Sequence, residues 1–319
     1  MSADPSKTGP PPDSTADGND DTPTLADESR GEKPTLDART PLREPPAALP
    51  VAIGPYRIVG ALGQGGMGIV YEAEQQHPRR RVALKVVRGG QLLDEDRIRM
   101  FQREVETLAR LKHPNIAAIY DAGRTADGQH FFAMELVVGQ MLDDFLRDRT
   151  EGLDDAEVRF RLRLFQSICE AVNYAHQRGV IHRDLKPSNI IISGAEGPSL
   201  TGALPVAKIL DFGLARITET DVAQSALTEV GVIKGTLAYM SPEQARGEAG
   251  EIDVRADVYS LGVILYEMLA GSRPYDVKSV SLVEIVRVIC EATPVPLRRA
   301  WKGDRPLDAD IETIVGKAL

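Results

Sequence analysis

The order in which two kinds of apolar pattern appear constrains this fold more than any other feature of the chain. From Tyr56 the pattern is strand-like, running YRIVGALG, GIVYEAEQ and RRVALKVV, with turns at Gly63 to Gly68 and around His77-Pro78. The segment DEDRIRMFQREVETLARLK then places Ile98, Phe101, Val105, Leu108 and Leu111 at helical spacing, and it stops before His113-Pro114. Two further extended runs, NIAAIYDAGR and HFFAMELV, complete a five-stranded set. After about residue 140 the signal turns mainly helical. Its clearest segments are DDAEVRFRLRLFQSICEAVNYAHQRG and DVRADVYSLGVILYEMLAG, each closed by a glycine that suits a helix C-terminus. Strands gathered first and helices after predict an α+β chain: a small antiparallel five-stranded N-lobe with one main helix, over about residues 54–137, and a larger mainly helical C-lobe over 138–319.

Residues 1–53 do not join that pattern. The first fifty hold ten of the 21 prolines, ten acidic residues and no Phe, Tyr or Trp, so they cannot bury a core and are expected to form a disordered tail. The chain of 319 residues, 42% of them hydrophobic, holds enough apolar material for one large domain or two smaller lobes. A formal charge of −9 argues against nucleic acid or an anionic membrane as partner, because both attract clustered Lys and Arg. No apolar run reaches the roughly 18 to 20 residues that cross a bilayer, and the N-terminus lacks a signal-peptide pattern, so a cytoplasmic location is expected. The two cysteines, Cys169 and Cys290, sit in separate apolar stretches, which predicts packing rather than a disulfide or a metal pair.

Four short motifs carry chemistry. Leu62 is followed by Gly63-Gln64-Gly65-Gly66-Met67-Gly68, with Ile69 and Val70 beyond, a G-x-G-x-x-G-x-V pattern whose bare backbone can approach phosphates. A tight hairpin or a dinucleotide fold uses similar glycines, but here a strand follows, not a helix. That next strand reads VALK and puts the Lys85 ammonium under the loop, where it can neutralise phosphate charge. Glu104 on the following helix would fix Lys85 by an ion pair; Glu106 is its rival but points roughly 200° away around the helix. HRDLKPSN supplies a base in Asp184, a cation in Lys186 and a metal ligand in Asn189 within one loop, with His182 as a packed structural residue. KILDFGLAR ends an apolar strand at Asp211, a second hard ligand suited to Mg²⁺, with Phe212 packing inward.

Together these motifs resemble the eukaryotic-like, or Hanks-type, protein kinases, and especially the bacterial receptor-like serine/threonine kinases. The resemblance extends to HPNI at His113, FFAMEL, GTLAYMSPEQ from Gly235 to Gln244, and DVYSLG from Asp257. It implies a two-lobed fold with ATP and Mg²⁺, or Mn²⁺, in the cleft. Met134 would be the gatekeeper, the backbones of Glu135 and Val137 would bond the adenine, and Val70 and Ala83 would cover the ring. Leu108, Ile119, His182 and Phe212 would form a regulatory apolar column anchored by Asp257. Lys186-Pro187 and Gly235-Thr236 resemble the serine/threonine branch, whose substrates are protein Ser and Thr hydroxyls. Thr228 would be the activation-loop phosphosite paired with Arg183, in competition with Thr218, Thr220 and Ser225, and a homodimer would serve trans-autophosphorylation. The resemblance further implies that the family's last helix is missing after IVGKAL, which would leave Glu243 without its usual arginine.

Overall fold

The computed structural model describes residues 49–65, 68–87, 105–125, 128–149, 153–194, 205–212, 237–276 and 281–319. Glu104, Gly66, Met67 and Thr228, along with residues 1–48 of the tail, lie outside them, while Ala52 and Ile53 of the expected tail belong to the first strand.

The first lobe is one antiparallel sheet of six strands in the order β1-β2-β3-β4-β6-β5. Its strands are β1 (Ala52–Ile53), β2 (Tyr56–Gly65), β3 (Gly68–Gln75), β4 (Arg80–Val87), β5 (Ile119–Arg124) and β6 (His130–Glu135). The sixth strand corrects the expectation of five. β1 has two residues, too few to show any alternation, and Gly54 at φ +55 folds it back so that Ile53 pairs with Tyr56. Tyr56, Tyr71, Val82, Leu84, Val86 and Phe131 bury one face of the sheet. The opposite face carries Ala83, Val87, Phe132 and Met134, which join the main core beside Leu108 and Leu111. This two-sided burial explains why β4 reads VALKVV without alternation.

The second lobe is built from α1 (Leu142–Arg147), α2 (Asp155–His176), α3 (Pro242–Arg246), α4 (Val254–Ala270), α5 (Leu282–Glu291), α6 (Leu297–Ala300) and α7 (Ala309–Ala318). A small sheet of β7 (Gln140–Met141), β8 (Ile190–Ser193) and β9 (Val206–Ile209) completes it. α4 is buried on nearly every side, which is the signature of a central helix. α7 crosses it so closely that a Cβ at Gly262 would lie 2.7 Å from the Ala318 methyl carbon. The caps follow local rules: Asp154 accepts from Glu157 N–H at the start of α2, and Gly271 ends α4 in the left-handed conformation.

The lobes are joined by backbone as well as by the chain itself. Ala117 N–H donates to Ile209 O at 2.9 Å, Ile209 N–H donates to Asn115 O at 2.9 Å, and the Asn115 amide reaches Ala207 O at 2.7 Å. HPNI therefore fastens the first lobe to β9, the strand that ends just before Asp211. Both cysteines are free, and burial pushes the Cys169 thiol up to about 11. Glu243 is half-buried, and its charge acts on Arg255 and Tyr259.

Candidate active site

The loop 182–189 follows the end of α2, where Gly179 at φ +74 turns the chain back. Asp257, in the first turn of α4 and fully buried, holds the loop's backbone. Its carboxylate accepts His182 N–H at 2.8 Å and Arg183 N–H at 2.9 Å, and meets His176 Nε2 at 2.6 Å. Burial alone would raise this carboxyl group's pKa. The bond to His176, the field of His182 and the two loop N–H groups outweigh burial and hold it below the usual carboxylate range. The grip matters because Arg183 stands at φ +67, a conformation that residues other than glycine rarely adopt.

His182 is fully buried and packs against Phe212 with ring centroids 4.7 Å apart and the ring planes tilted by 60°. Its Nδ1 faces Asp184 N–H at 3.3 Å and so acts as acceptor, which leaves Nε2 to donate to Leu210 O at 2.9 Å. Both ring nitrogens are thus used for architecture. Lys186 Nζ lies 3.1 and 2.9 Å from the two carboxylate oxygens of Asp184. Asn189 Nδ2 donates to Asp184 O at 2.7 Å and to Asp184 Oδ2 at 3.1 Å. A carbonyl oxygen can only accept, so this contact fixes the amide and turns Asn189 Oδ1 away from Asp184.

Leu210 N–H donates to Asn189 O at 2.8 Å, which ties the loop to Asp211. Asp211 has φ +58, and its Oδ2 meets Lys85 Nζ at 2.6 Å. Lys85 is only 5% exposed, so a carboxylate beside it satisfies a charge that would otherwise be costly to bury. The Lys85–Asp211 pair is therefore joined to the Asn189, Asp184 and Lys186 cluster through the backbone of Leu210, whose N–H is held by Asn189 O. Phe212 packs inward beside Leu108 and Met134, around a cavity of about 10 Å³, with Ile119 against the same cluster.

The upper wall comes from the sheet. Val70 is paired with Lys85 across β3 and β4, and Ala83 with Met134 across β4 and β6. The glycine pattern forms a hairpin in which Gly65 pairs with Gly68, with Leu62 half-exposed and Gly63 and Gln64 inside β2. A Cβ at Gly68 would lie 1.9 Å from Val86 O, so that glycine is demanded by the β4 backbone, whereas at Gly63 and Gly65 it would meet nothing within 4 Å. Val137 is half-buried just past β6, where the chain passes to the second lobe. The side chain of Glu135 accepts Lys208 Nζ at 2.6 Å with each oxygen and Ala118 N–H at 3.2 Å, a role the sequence does not announce.

These residues suit a nucleotide with a hard cation. Mg²⁺ takes few protein ligands, one or two oxygens beside substrate phosphates, and Asp211 and the Asn189 amide oxygen are of that kind. The open space at Gly63 and Gly65 suits close approach of phosphates to backbone N–H groups. A family model described as a protein kinase domain matches residues 56–319. The chain belongs to the protein kinase family. The kinase domain is 39% identical over 264 residues to serine/threonine-protein kinase pkn3 of Myxococcus xanthus, covering 83% of this chain and 46% of that protein. To PknB of Mycobacterium tuberculosis it is 37% identical over 267 residues, covering 83% and 39%. The crystal structure of the Mycobacterium tuberculosis PknI kinase domain matches with a TM-score of 0.55 at 27% identity, covering 85% of this chain and 98% of that one. The kinase domain thus falls among the bacterial Hanks-type serine/threonine kinases, and the chain spans less than half the length of these curated relatives.

Three contacts escaped the sequence reading: Lys208 on Glu135, His176 on Asp257, and Gln244 Nε2 on Arg183 O at 2.6 Å. Only the last left a local signal. Ser241-Pro242-Glu243-Gln244 has the S-x-x-Q form of a capping box, and the structure forms that box at the start of α3.

Proposed function

We propose that this chain transfers the γ-phosphoryl group of ATP to serine and threonine hydroxyls of proteins, with Asp184 as the base. The observation that carries this is the convergence of the Lys85–Asp211 pair with the Asn189, Asp184 and Lys186 cluster, joined through the Leu210 backbone. Asp184 takes the hydroxyl proton as the new O–P bond forms, and the bridging oxygen of ADP leaves with the electron pair of the broken bond. Lys186, already on the Asp184 carboxylate, lies where charge develops on the transferring group. Lys85 exchanges part of its contact with Asp211 for the α- and β-phosphates. Met134, Ala83, Val70 and the backbones of Glu135 and Val137 form the adenine site, with residues 62–68 above the phosphates. Asp211 and Asn189 would hold Mg²⁺, or Mn²⁺, which when bound neutralises phosphate charge.

Substrates of this reading are proteins bearing Ser or Thr, acted on in the cytoplasm. Activity rises with phosphorylation of Thr228 in a homodimer, the new phosphate pairing with Arg183. Among the described residues no helix is long and apolar enough to cross a membrane. The experiment is phosphoamino-acid analysis of a generic protein substrate after incubation with Mg²⁺ and ATP. Phosphoserine and phosphothreonine that vanish with chelator are expected. Phosphotyrosine alone, or ATP consumed with no protein labelled, would reject the reading. Peptide mapping of the autophosphorylated chain tests Thr228: phosphate on Thr218, Thr220 or Ser225 with none on Thr228 rejects that assignment.

A further inference from the structure

We propose that Gln244 is a positioning residue of the catalytic loop, whose side-chain amide holds the Arg183 carbonyl and thereby sets the direction of the Asp184 carboxylate. The proposal rests on the reading of Asp184 as the base.

The peptide unit joining Arg183 to Asp184 is pinned at both poles. Its nitrogen, Asp184 N–H, donates to His182 Nδ1 at 3.3 Å, a long contact. Its oxygen, Arg183 O, accepts from Gln244 Nε2 at 2.6 Å, a short one. The preceding N–H of Arg183 goes to Asp257 Oδ1 at 2.9 Å. Asp257 therefore fixes one side of a residue at φ +67, and Gln244 fixes the other. The amide donor thus holds the carbonyl side of the peptide that leads directly into Asp184, and the direction of the Asp184 side chain follows the plane of that peptide.

The orientation of the amide follows from its partners. Arg183 O can only accept, and Ser241 N–H, 3.1 Å from Gln244 Oε1, can only donate, so nitrogen must face the loop and oxygen the helix start. The backbone N–H of Ser241 holds the amide at its α3 end, and the buried Ser241 hydroxyl adds only a longer contact, 3.3 Å from the same oxygen. α4 secures the same segment, since Ser260 Oγ donates to Tyr239 O at 2.8 Å. α3 closes the GTLAYMSPEQ stretch, and Gln244 is thus a direct bolt between that stretch and the base, spanning 61 residues of sequence.

Kinetics on the full chain separate positioning from mere support. Gln244→Met keeps the length and removes the donor, and Gln244→Glu sets a carboxylate oxygen against a carbonyl oxygen. The expected result is a fall in kcat of about 10-fold for Met and about 100-fold for Glu, since small displacements of a reacting group carry penalties of that order. KM for ATP and for a generic protein substrate should stay within about twofold, because ground-state binding is untouched. Ser241→Ala provides the contrast: it removes the hydroxyl that caps Gln244 N–H but leaves the Ser241 N–H on Oε1 and the bond to Arg183 O, so it should lower the melting temperature while keeping kcat within about twofold. A Gln244→Glu enzyme with wild-type kcat overturns the proposal, as does a Ser241→Ala enzyme whose kcat falls as far. A wild-type chain that labels no protein removes the reading of Asp184 itself, an outcome distinct from both.

Discussion

The loop 182–189 and the hairpin of β2 and β3 supply the two halves of the proposed chemistry, and they are held in opposite ways. Around the loop, Asp257 takes two backbone N–H groups, Gln244 takes a carbonyl, and Asn189 and Lys186 take the Asp184 carboxylate. Around Gly63 and Gly65, among the described residues other than chain neighbours, no atom comes within 4 Å of where a side chain would begin. A base must be placed to a fraction of an ångström before the substrate arrives, so its loop is fixed by groups from several elements. A phosphate cover must admit and release a nucleotide, so its residues are spared such contacts. The boundary between the two regimes is sharp, because Gly68, in the same hairpin, already stands against the β4 backbone.

Substitutions can break this contrast, and the largest effect belongs to the loop's anchor. Asp257→Ala leaves two buried N–H groups and His176 without their acceptor and should cost about 3–5 kcal/mol in urea unfolding, with loss of activity. The same carboxylate gives the wild type a pH signature. Its pKa is lowered on folding, so its contribution is fully present above the unfolded value of about 3.9 and is lost as pH falls through the lower folded value. Asp257→Asn should lack that acid-limb loss in a urea-against-pH series.

Next is Lys85→Met, for which kcat/KM should fall about 100-fold through misplaced phosphates while the fold persists, as circular dichroism would report. The smallest effects come from the hairpin and sharpen its internal boundary. Gly68→Ala drives a methyl group into Val86 O and should cost about 1–3 kcal/mol. Gly65→Ala should stay within about 0.5 kcal/mol of wild type while raising KM for ATP. Equal destabilisation by both would erase the distinction between a packed glycine and a cradle glycine.

What the sequence disclosed depended on distance along the chain. Asp184, Lys186 and Asn189 are legible because eight consecutive residues, HRDLKPSN, bring them together, and β2, β3 and β4 because adjacent hairpins repeat one pattern. β1 was hidden by its two-residue length. Asp257 was legible only by resemblance, since His176 stands 81 residues away from it. Lys208 and Glu135 are 73 residues apart, and each reads alone as an ordinary surface charge. Gln244 announced its cap but not its second bond, because a capping box is local and the Arg183 carbonyl is brought to it only by tertiary packing.

The most direct test compares wild type with Asp184→Asn, measuring single-turnover phosphoryl transfer to a protein substrate and the affinity for ATP with Mg²⁺ on the same samples. A base in the position described predicts that the variant binds ATP within about threefold of wild type and transfers phosphate about 10² to 10⁴ times more slowly. Transfer at the wild-type rate from Asp184→Asn would contradict the account at its centre.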